Sequence, residues 1–139
     1  MPQTISLIGA GSVAFARKLV NDMLFFDSLR DAEFRLMDID ERRLAYSLNT
    51  MKLVNQRRGA QARFTTTTDL DEALSGADFV VSMIQVGGFE ATKVDFEVCR
   101  RHGLRLVIGD SMGVPGLSRA LRTAPVLLDL CRRMERHCP

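Results

Sequence analysis

The sequence predicts an α/β fold in which a doubly wound, mainly parallel β-sheet carries helices on both faces. Five short segments rich in β-branched and apolar residues alternate with longer segments of helical length or spacing. Because a helical segment stands between consecutive strands, neighbouring strands can run parallel, with their connections covering the sheet. With 139 residues, 46% of them hydrophobic, we expect residues 1–139 to form one globular domain.

The elements follow one another in a regular order. The predicted strands are residues 4–8, 33–37, 62–66, 79–83 and 104–108. The predicted helices are residues 12–26, 41–56, 70–74, 91–102 and 117–136. Asp40 precedes the charged start of the second helix, and either Thr68 or Asp69 can cap the third. Gly59 and Gly103 stand where helices are expected to end.

A glycine-rich turn joins the first predicted strand to the first helix. Residues 8–14 read IGAGSVA, which places G-x-G-x-x-A at the strand-to-helix junction of a Rossmann-like fold. Gly9 allows the tight turn, Gly11 lets a pyrophosphate approach the backbone, and the small Ala14 lets the helix pack closely on the sheet. The N–H groups of Ser12 and Val13 can hold phosphate oxygens at the helix start. The motif predicts a dinucleotide site.

An acidic residue ends the second predicted strand. Asp38 follows Gly11 by 27 residues, beyond the usual spacing of about 20, which a long first helix explains. We assign Asp38 to the adenosine ribose hydroxyls, and its charge favours NAD over the 2′-phosphate of NADP. Arg42 and Arg43 lie near it in sequence and act against this preference. The alternative is a helix-capping or solvated turn carboxylate.

The fourth predicted strand leads into a glycine pair. Residues 84–88 read IQVGG, and strand ends on this side of a doubly wound sheet commonly line the cofactor crevice. Ile84 and Gln85 are therefore candidate cofactor contacts. A structural turn explains Gly87 and Gly88 equally well.

Composition excludes several classes of protein. The formal charge is only +2 and the basic residues are dispersed, so we expect no nucleic-acid partner. No apolar run of 18 residues and no signal peptide is present, so we expect no membrane association. The three cysteines form no C-x-x-C pair, which disfavours a disulfide framework or a zinc site and suits the reducing cytoplasm.

Four stretches together carry a family resemblance. They are IGAGS at residues 8–12, LMDID at 36–40, QVGG at 85–88 with DFEVCRRHGL at 95–104, and RALRT at 119–123. The chain resembles the NAD- and Mn²⁺-dependent family 4 glycosidases, most closely their α-galactosidases. The resemblance implies an α-glycoside substrate and a redox-assisted elimination. In that reaction NAD oxidises C3 of the sugar, a base removes the C2 proton, and Mn²⁺ polarises the C2 and C3 oxygens.

The resemblance also assigns roles within the chain. Asp110, in IGDSMG at residues 108–113, matches an acidic position near the reacting sugar, although a loop-capping Asp explains it as well. The family's Gly-Gly pair after this position is replaced by VPG at residues 114–116. Arg119 and Arg122 can approach cofactor or sugar, or pair with surface acids. The cysteines and histidines suit structural positions better than metal ligation.

The family's Asn-Pro segment, metal-binding Cys and His, and catalytic Tyr are implied to lie in a second domain beyond residue 139. We therefore expect these residues alone to be inactive. Two other interpretations remain open: a non-catalytic dinucleotide-binding module and a fragment of a 2-hydroxy-acid dehydrogenase. An apolar surface left uncovered would favour self-association, so we expect a homo-oligomer.

Overall fold

The computed structural model describes residues 2–109 and 113–138, in which strands and helices alternate. The strands are β1 (Thr4–Ile8), β2 (Glu33–Met37), β3 (Arg63–Thr67) and β4 (Phe79–Ser82). The helices are α1 (Val13–Met23), α2 (Glu41–Arg58), α3 (Leu70–Leu74), α4 (Gly88–Arg101) and α5 (Val114–His137), with a 3-10 turn at Asp27–Leu29. The first two strands and α3 have the predicted bounds, and the α/β prediction is confirmed.

The described strands form one parallel sheet in the order β3-β2-β1-β4. Thr4 pairs with Glu33 and Ile8 with Met37, so β1 and β2 end side by side. Ile8 also pairs with Ser82 at the end of β4. The chain therefore builds outward from β1 to β3 and then returns to the other side of β1, which is the arrangement of a doubly wound nucleotide-binding sheet.

Alternation along the strands determines which side chains meet which helices. Leu7 and Leu36 are fully buried in the same core as Met51 of α2 and Val20 of α1. Ser6 and Arg35 occupy the intervening positions and donate to the carbonyl oxygens of residues 73 and 75, in and just after α3. Helices therefore cover both faces of the sheet.

Local signals at helix ends agree with the expectations. Asp40 Oδ1 accepts from the Arg43 N–H at 3.0 Å and so caps α2. Gly59 ends that helix in the left-handed region at φ 59°. Of the two candidate caps of α3, Asp69 is the one used, because its Oδ1 accepts from the Asp71 and Glu72 N–H groups at 2.8 and 3.2 Å.

Three details of the prediction are wrong. Residues 104–108 form no strand, since their apolar side chains find neither a pairing partner nor burial, and Val107 is 93% exposed. Helix α1 ends at Met23, and residues 24–26 form turns. Ala14 is exposed, and the small residue buried beneath the helix is Ala16, two positions further on.

The chain divides into two compact units. The first consists of Met1–Ile84 with Arg133–Pro139 and contains the sheet and its hydrophobic core. The second, Gln85–Arg132, consists of α4, the following coil and most of α5. In the described part of the chain, no helix has both the length and the hydropathy needed to cross a bilayer.

Candidate functional site

The strand order reverses at β1: β2 and β3 follow on one side of it, and β4 lies on the other side. In parallel α/β sheets, such a switch point opens a crevice at the carboxyl ends of the strands, because the connections on either side leave in opposite directions. The loop after β1 and the residues after β2 and β4 surround this position in the first unit. The loop after β1, Asp38 after β2 and Ile84 after β4 therefore lie at this crevice.

Gly9 makes the turn out of β1 against the end of β4. Its φ of 89° lies in the left-handed region, and a Cβ there would stand 3.1 Å from the Met83 carbonyl carbon and the Ile84 nitrogen. The N–H groups of Gly9 and Ala10 both donate to the Met37 carbonyl, at 2.8 and 2.9 Å. Only glycine combines this backbone conformation with this close approach.

Gly11 and Asp38 are in direct contact. The Gly11 N–H donates to Asp38 Oδ2 at 2.8 Å, and the other oxygen, Oδ1, accepts from the Asp40 N–H at 3.1 Å. A Cβ on Gly11 would fall 2.5 Å from Asp38 Oδ2 and 3.0 Å from Arg43 Cβ. Gly11 is buried and Asp38 half-buried. The carboxylate thus stands at the loop with a defined orientation and with lone pairs left for a further donor.

Helix α1 begins at this loop. Ser12 is its exposed N-cap residue and makes no side-chain cap hydrogen bond, while Val13 is the first helical residue. No acidic residue stands in the first turn of the helix. The N–H groups of that turn have no acceptor within the helix, and the positive end of the helix dipole coincides with them. This end of α1 can therefore receive an anion.

The two candidates after β4 fall in different units. Ile84 is half-buried and its nitrogen lies beside Gly9 in the first unit. Gln85 is the first residue of the second unit, where its Nε2 donates to Thr92 Oγ1 at 2.9 Å and to the Gly88 carbonyl at 3.3 Å. The Gln85 amide thus stabilises the start of α4. These contacts are also consistent with the alternative that residues 84–88 form a structural turn.

A serine that the sequence did not single out also holds the loop. Ser47 of α2 is fully buried and its Oγ donates to the Ala10 carbonyl at 2.8 Å. The detectable signal is its position in the buried stripe of α2, formed by Leu44, Ser47, Met51 and Val54. A hydroxyl on such a stripe needs a hydrogen-bond partner, and here the partner is the glycine-rich loop.

The second unit contains a partly buried ion pair that the sequence left undecided. The Arg122 guanidinium donates to both oxygens of Asp95, at 2.9 and 2.6 Å, and Asp95 is only 9% exposed. These hydrogen bonds hold the pKa of Asp95 below its ordinary value of 3.8, against the opposing effect of burial. Of the alternatives for Arg122, the structure favours pairing with an acid, although that acid is buried rather than at the surface.

Arg119 instead lines a cleft of about 300 Å³ in the second unit. Its wall also includes Gln85, Thr92, Asp95, Phe96 and Pro115. Amide, hydroxyl, carboxylate and guanidinium groups beside apolar surfaces suit a small hydroxylated ligand.

The catalytic candidate Asp110 lies outside the described residues. Within residues 2–109 and 113–138, no group of three or more His, Cys, Asp or Glu is arranged to hold a metal ion. The described residues therefore do not fit a Mn²⁺ site. All three cysteines are free.

The parallel sheet, the glycine-rich turn and the carboxylate at the end of β2 define a dinucleotide-binding protein of the Rossmann type. The sequence profile of the family 4 glycosyl hydrolases matches residues 4–139, and the chain belongs to this family. This membership favours the glycosidase interpretation over the dehydrogenase one.

Known relatives are about three times as long. An α-galactosidase of Bacillus subtilis is 40% identical over 136 residues, which are 97% of this chain and 32% of the relative. A 6-phospho-α-glucosidase from gut microorganisms, solved with NAD and glucose-6-phosphate, is 25% identical with a TM-score of 0.87, over 99% of this chain and 31% of that one. Another, solved with NAD and Mn²⁺, is 20% identical with a TM-score of 0.86, over 100% and 31%.

Proposed function

We propose that this chain is the dinucleotide-binding portion of a family 4 glycosyl hydrolase and that it binds NAD at the carboxyl ends of β1 and β2. The observation that carries the proposal is the contact between Gly11 and Asp38, 2.8 Å from amide nitrogen to carboxylate oxygen. This contact places a carboxylate acceptor for a ribose directly beside the glycine-rich turn to which we assign the phosphates. The NAD of a solved relative supports the same assignment.

The diphosphate is assigned to the turn from Gly9 to Val13. Gly9 and Gly11 have no side chains to obstruct it, and the first turn of α1 supplies uncapped N–H groups without a competing acid. Anions at such a helix start are stabilised by about 0.3–1 kcal/mol from the helix dipole, in addition to the hydrogen bonds. Val13 is therefore proposed as a backbone donor to phosphate and Ile84 as an apolar wall after β4. Ser12 is proposed to share its N–H between phosphate and the Gly9 carbonyl, to which that N–H donates at 3.1 Å.

Asp38 is assigned to the 2′- and 3′-hydroxyls of the adenosine ribose. Its oxygens each accept from a backbone N–H group, which fixes the orientation of the carboxylate and leaves lone pairs for the ribose hydroxyls. A 2′-phosphate would meet this negative charge, and the nearby cation Arg43 is engaged in an ion pair 3.4 Å from Asp40 Oδ2. The arrangement therefore favours NAD over NADP.

Bound NAD would supply reversible two-electron oxidation of a sugar carbon, which makes elimination of the glycosidic oxygen possible. An α-galactoside is the proposed substrate, because the α-galactosidase relative is 40% identical over nearly the whole chain. The polar cleft of the second unit suits sugar hydroxyls. Asp110 is proposed as the acidic group near the reacting sugar. No step is assigned to Mn²⁺ on the residues described.

We further propose that a polypeptide of these 139 residues binds NAD without turning over a glycoside, since the chain spans about a third of its relatives. Self-association of the chain is supported by exposed leucines on α5. A cytoplasmic location is supported by the three free cysteines.

The test is a calorimetric titration of the 139-residue polypeptide with NAD and with NADP. We expect NAD to bind more tightly, and Asp38→Ala to weaken NAD binding by about 10-fold through loss of the ribose hydrogen bonds. Asp40→Ala is the matched control for NAD, because it removes a carboxylate two positions away that caps α2 and pairs with Arg43, and it should leave NAD affinity unchanged. Tighter binding of NADP, or equal effects of the two substitutions, would reject the assignment of Asp38.

A further inference from the structure

We infer that Ser47 is a positioning residue of the dinucleotide site, which orients the Ala10–Gly11 peptide and, through it, the Asp38 carboxylate. The inference rests on the proposed function for its consequence in binding. The observation behind it is that the carbonyl and the N–H of the Ala10–Gly11 peptide each have a side-chain hydrogen-bond partner. Nothing in the G-x-G-x-x-A pattern itself involves a residue from α2.

The carbonyl of Ala10 and the N–H of Gly11 belong to the same peptide plane. In a trans peptide these two groups point in opposite directions, so a partner on each side fixes the rotation of the plane. Ser47 Oγ donates to the carbonyl at 2.8 Å and Asp38 Oδ2 accepts from the N–H at 2.8 Å. Rotation of this peptide would break both hydrogen bonds.

The hydroxyl of Ser47 has an ordinary alternative that it does not use. A serine or threonine within a helix commonly donates to the carbonyl four residues earlier. Thr50, one turn further along α2, does so, with Oγ1 2.8 Å from the Tyr46 carbonyl. Ser47 instead reaches out of its helix to the loop, and both Ser47 and Ala10 are fully buried. Water therefore does not replace the hydroxyl without rearrangement.

Removing the hydroxyl should act on the ligand through the loop. The Ala10 carbonyl would lose its side-chain donor, the peptide would gain rotational freedom, and the carboxylate that it orients would point less consistently toward a ribose. We expect Ser47→Ala to weaken NAD binding by about 5- to 10-fold, the range of one buried neutral hydrogen bond. The same substitution should speed hydrogen exchange of the Gly11 amide in the absence of any nucleotide.

The matched control is Ser6→Ala. Ser6 is also a fully buried serine, and its hydroxyl donates to the Ala73 carbonyl on the opposite face of the sheet. Both substitutions leave a buried carbonyl without its donor, so both should lower thermal stability, but only Ser47→Ala should lower NAD affinity. If Ser47→Ala does not fold, Ser47→Cys retains the side-chain volume with a weak donor and enters the same comparison.

A double-mutant cycle separates this route from general loosening of the fold. Since Ser47 acts through Asp38, the combined Ser47→Ala and Asp38→Ala variant should bind NAD no more weakly than Asp38→Ala alone. Additive losses, or equal losses for Ser47→Ala and Ser6→Ala, would overturn the inference while leaving NAD binding intact. If wild-type chain fails to bind NAD, the proposed function fails instead. An unchanged rate of hydrogen exchange at the Gly11 amide in the Ser47→Ala variant would overturn the inference whether or not the chain binds NAD.

Discussion

Replacing Gly11 by alanine tests the cofactor site with a single methyl group. A Cβ at this position would lie 2.5 Å from Asp38 Oδ2 and 2.7 Å from Asp38 Cγ, closer than non-bonded atoms approach. The Asp38 side chain can rotate away, since it is short and half-buried. The expected structural response is therefore loss of the 2.8 Å hydrogen bond from the Gly11 N–H, with the fold retained.

The magnitude follows from that hydrogen bond. A bond to a charged acceptor contributes about 1.5–3 kcal/mol, and alanine recovers about 0.4–1 kcal/mol by restricting the unfolded chain. The net loss of stability is about 1–2 kcal/mol, which lowers the melting temperature by about 3–8 °C. Turning the carboxylate away from the ribose should cost affinity in addition, up to about 10-fold in the dissociation constant for NAD, the loss expected for Asp38→Ala.

Calorimetric titration with NAD and thermal unfolding followed by circular dichroism measure the two effects separately. Gly76→Ala is the control, because Gly76 has φ 66° and an added Cβ would meet no atom within 4 Å, so alanine there strains only the backbone. The Gly76→Ala substitution should lower the free energy of unfolding by about 1 kcal/mol without changing NAD affinity. A Gly11→Ala chain that binds NAD as tightly as wild type would refute the assignment of the loop and of Asp38.

Two further predictions concern the second unit. Asp95→Asn should reduce stability by about 1–3 kcal/mol at neutral pH, since Arg122 loses its charged partner. Arg122 lowers the pKa of Asp95 below 3.8, so the pair stabilises the fold above pH 3.8 and this contribution disappears as pH falls through the lower folded-state value. Urea unfolding between about pH 3 and 6 should therefore be less pH-dependent in the variant, and an equal dependence would contradict the assignment. Leu121→Gln should reduce self-association in light scattering, because Leu121 is 68% exposed on α5. Leu53→Gln on α2, which also replaces one exposed leucine, should leave self-association unchanged. Equal effects of the two substitutions would contradict the role of α5.

The basis for the self-association prediction is the surface of α5. Leu117, Leu121 and Leu128 are 61%, 68% and 57% exposed, and their spacing of four and seven residues places them on one side of the helix. Aligned apolar side chains of this kind pair well with a second copy of the same helix. Leu53, the control, is 57% exposed on a helix that otherwise packs on the sheet.

Sequence reasoning succeeded where the local signal and the tertiary environment agree. β1 and β2 are short and bounded by turns, and their apolar residues are all buried, so pattern and burial coincide. Residues 104–108 have a similar composition but no pairing partner among the described residues. A strand requires a neighbour, and apolar composition alone does not supply one.

The same distinction between local signals and tertiary contacts applies to the candidate site. The places of Gly9, Gly11 and Asp38 at the ends of β1 and β2 could be predicted because the steric demands of a strand-to-helix turn and the reach of a carboxylate constrain residue type and spacing. Ser47 could not, because an interior serine on α2 carries no sign of which carbonyl it meets. The pairing of Asp95 with Arg122 likewise depends on how α4 and α5 pack, across a sequence separation of 27.

By itself, the order of residues determined the α/β alternation, the turn from Gly9 to Val13 and the carboxylate at position 38, because each depends on short-range sterics and periodicity. Tertiary structure alone decided that Gly11 touches Asp38, that Ser47 holds the loop and that Arg122 meets a buried acid. Those contacts join atoms far apart along the chain. Their formation depends on the packing of whole elements, which no local pattern records.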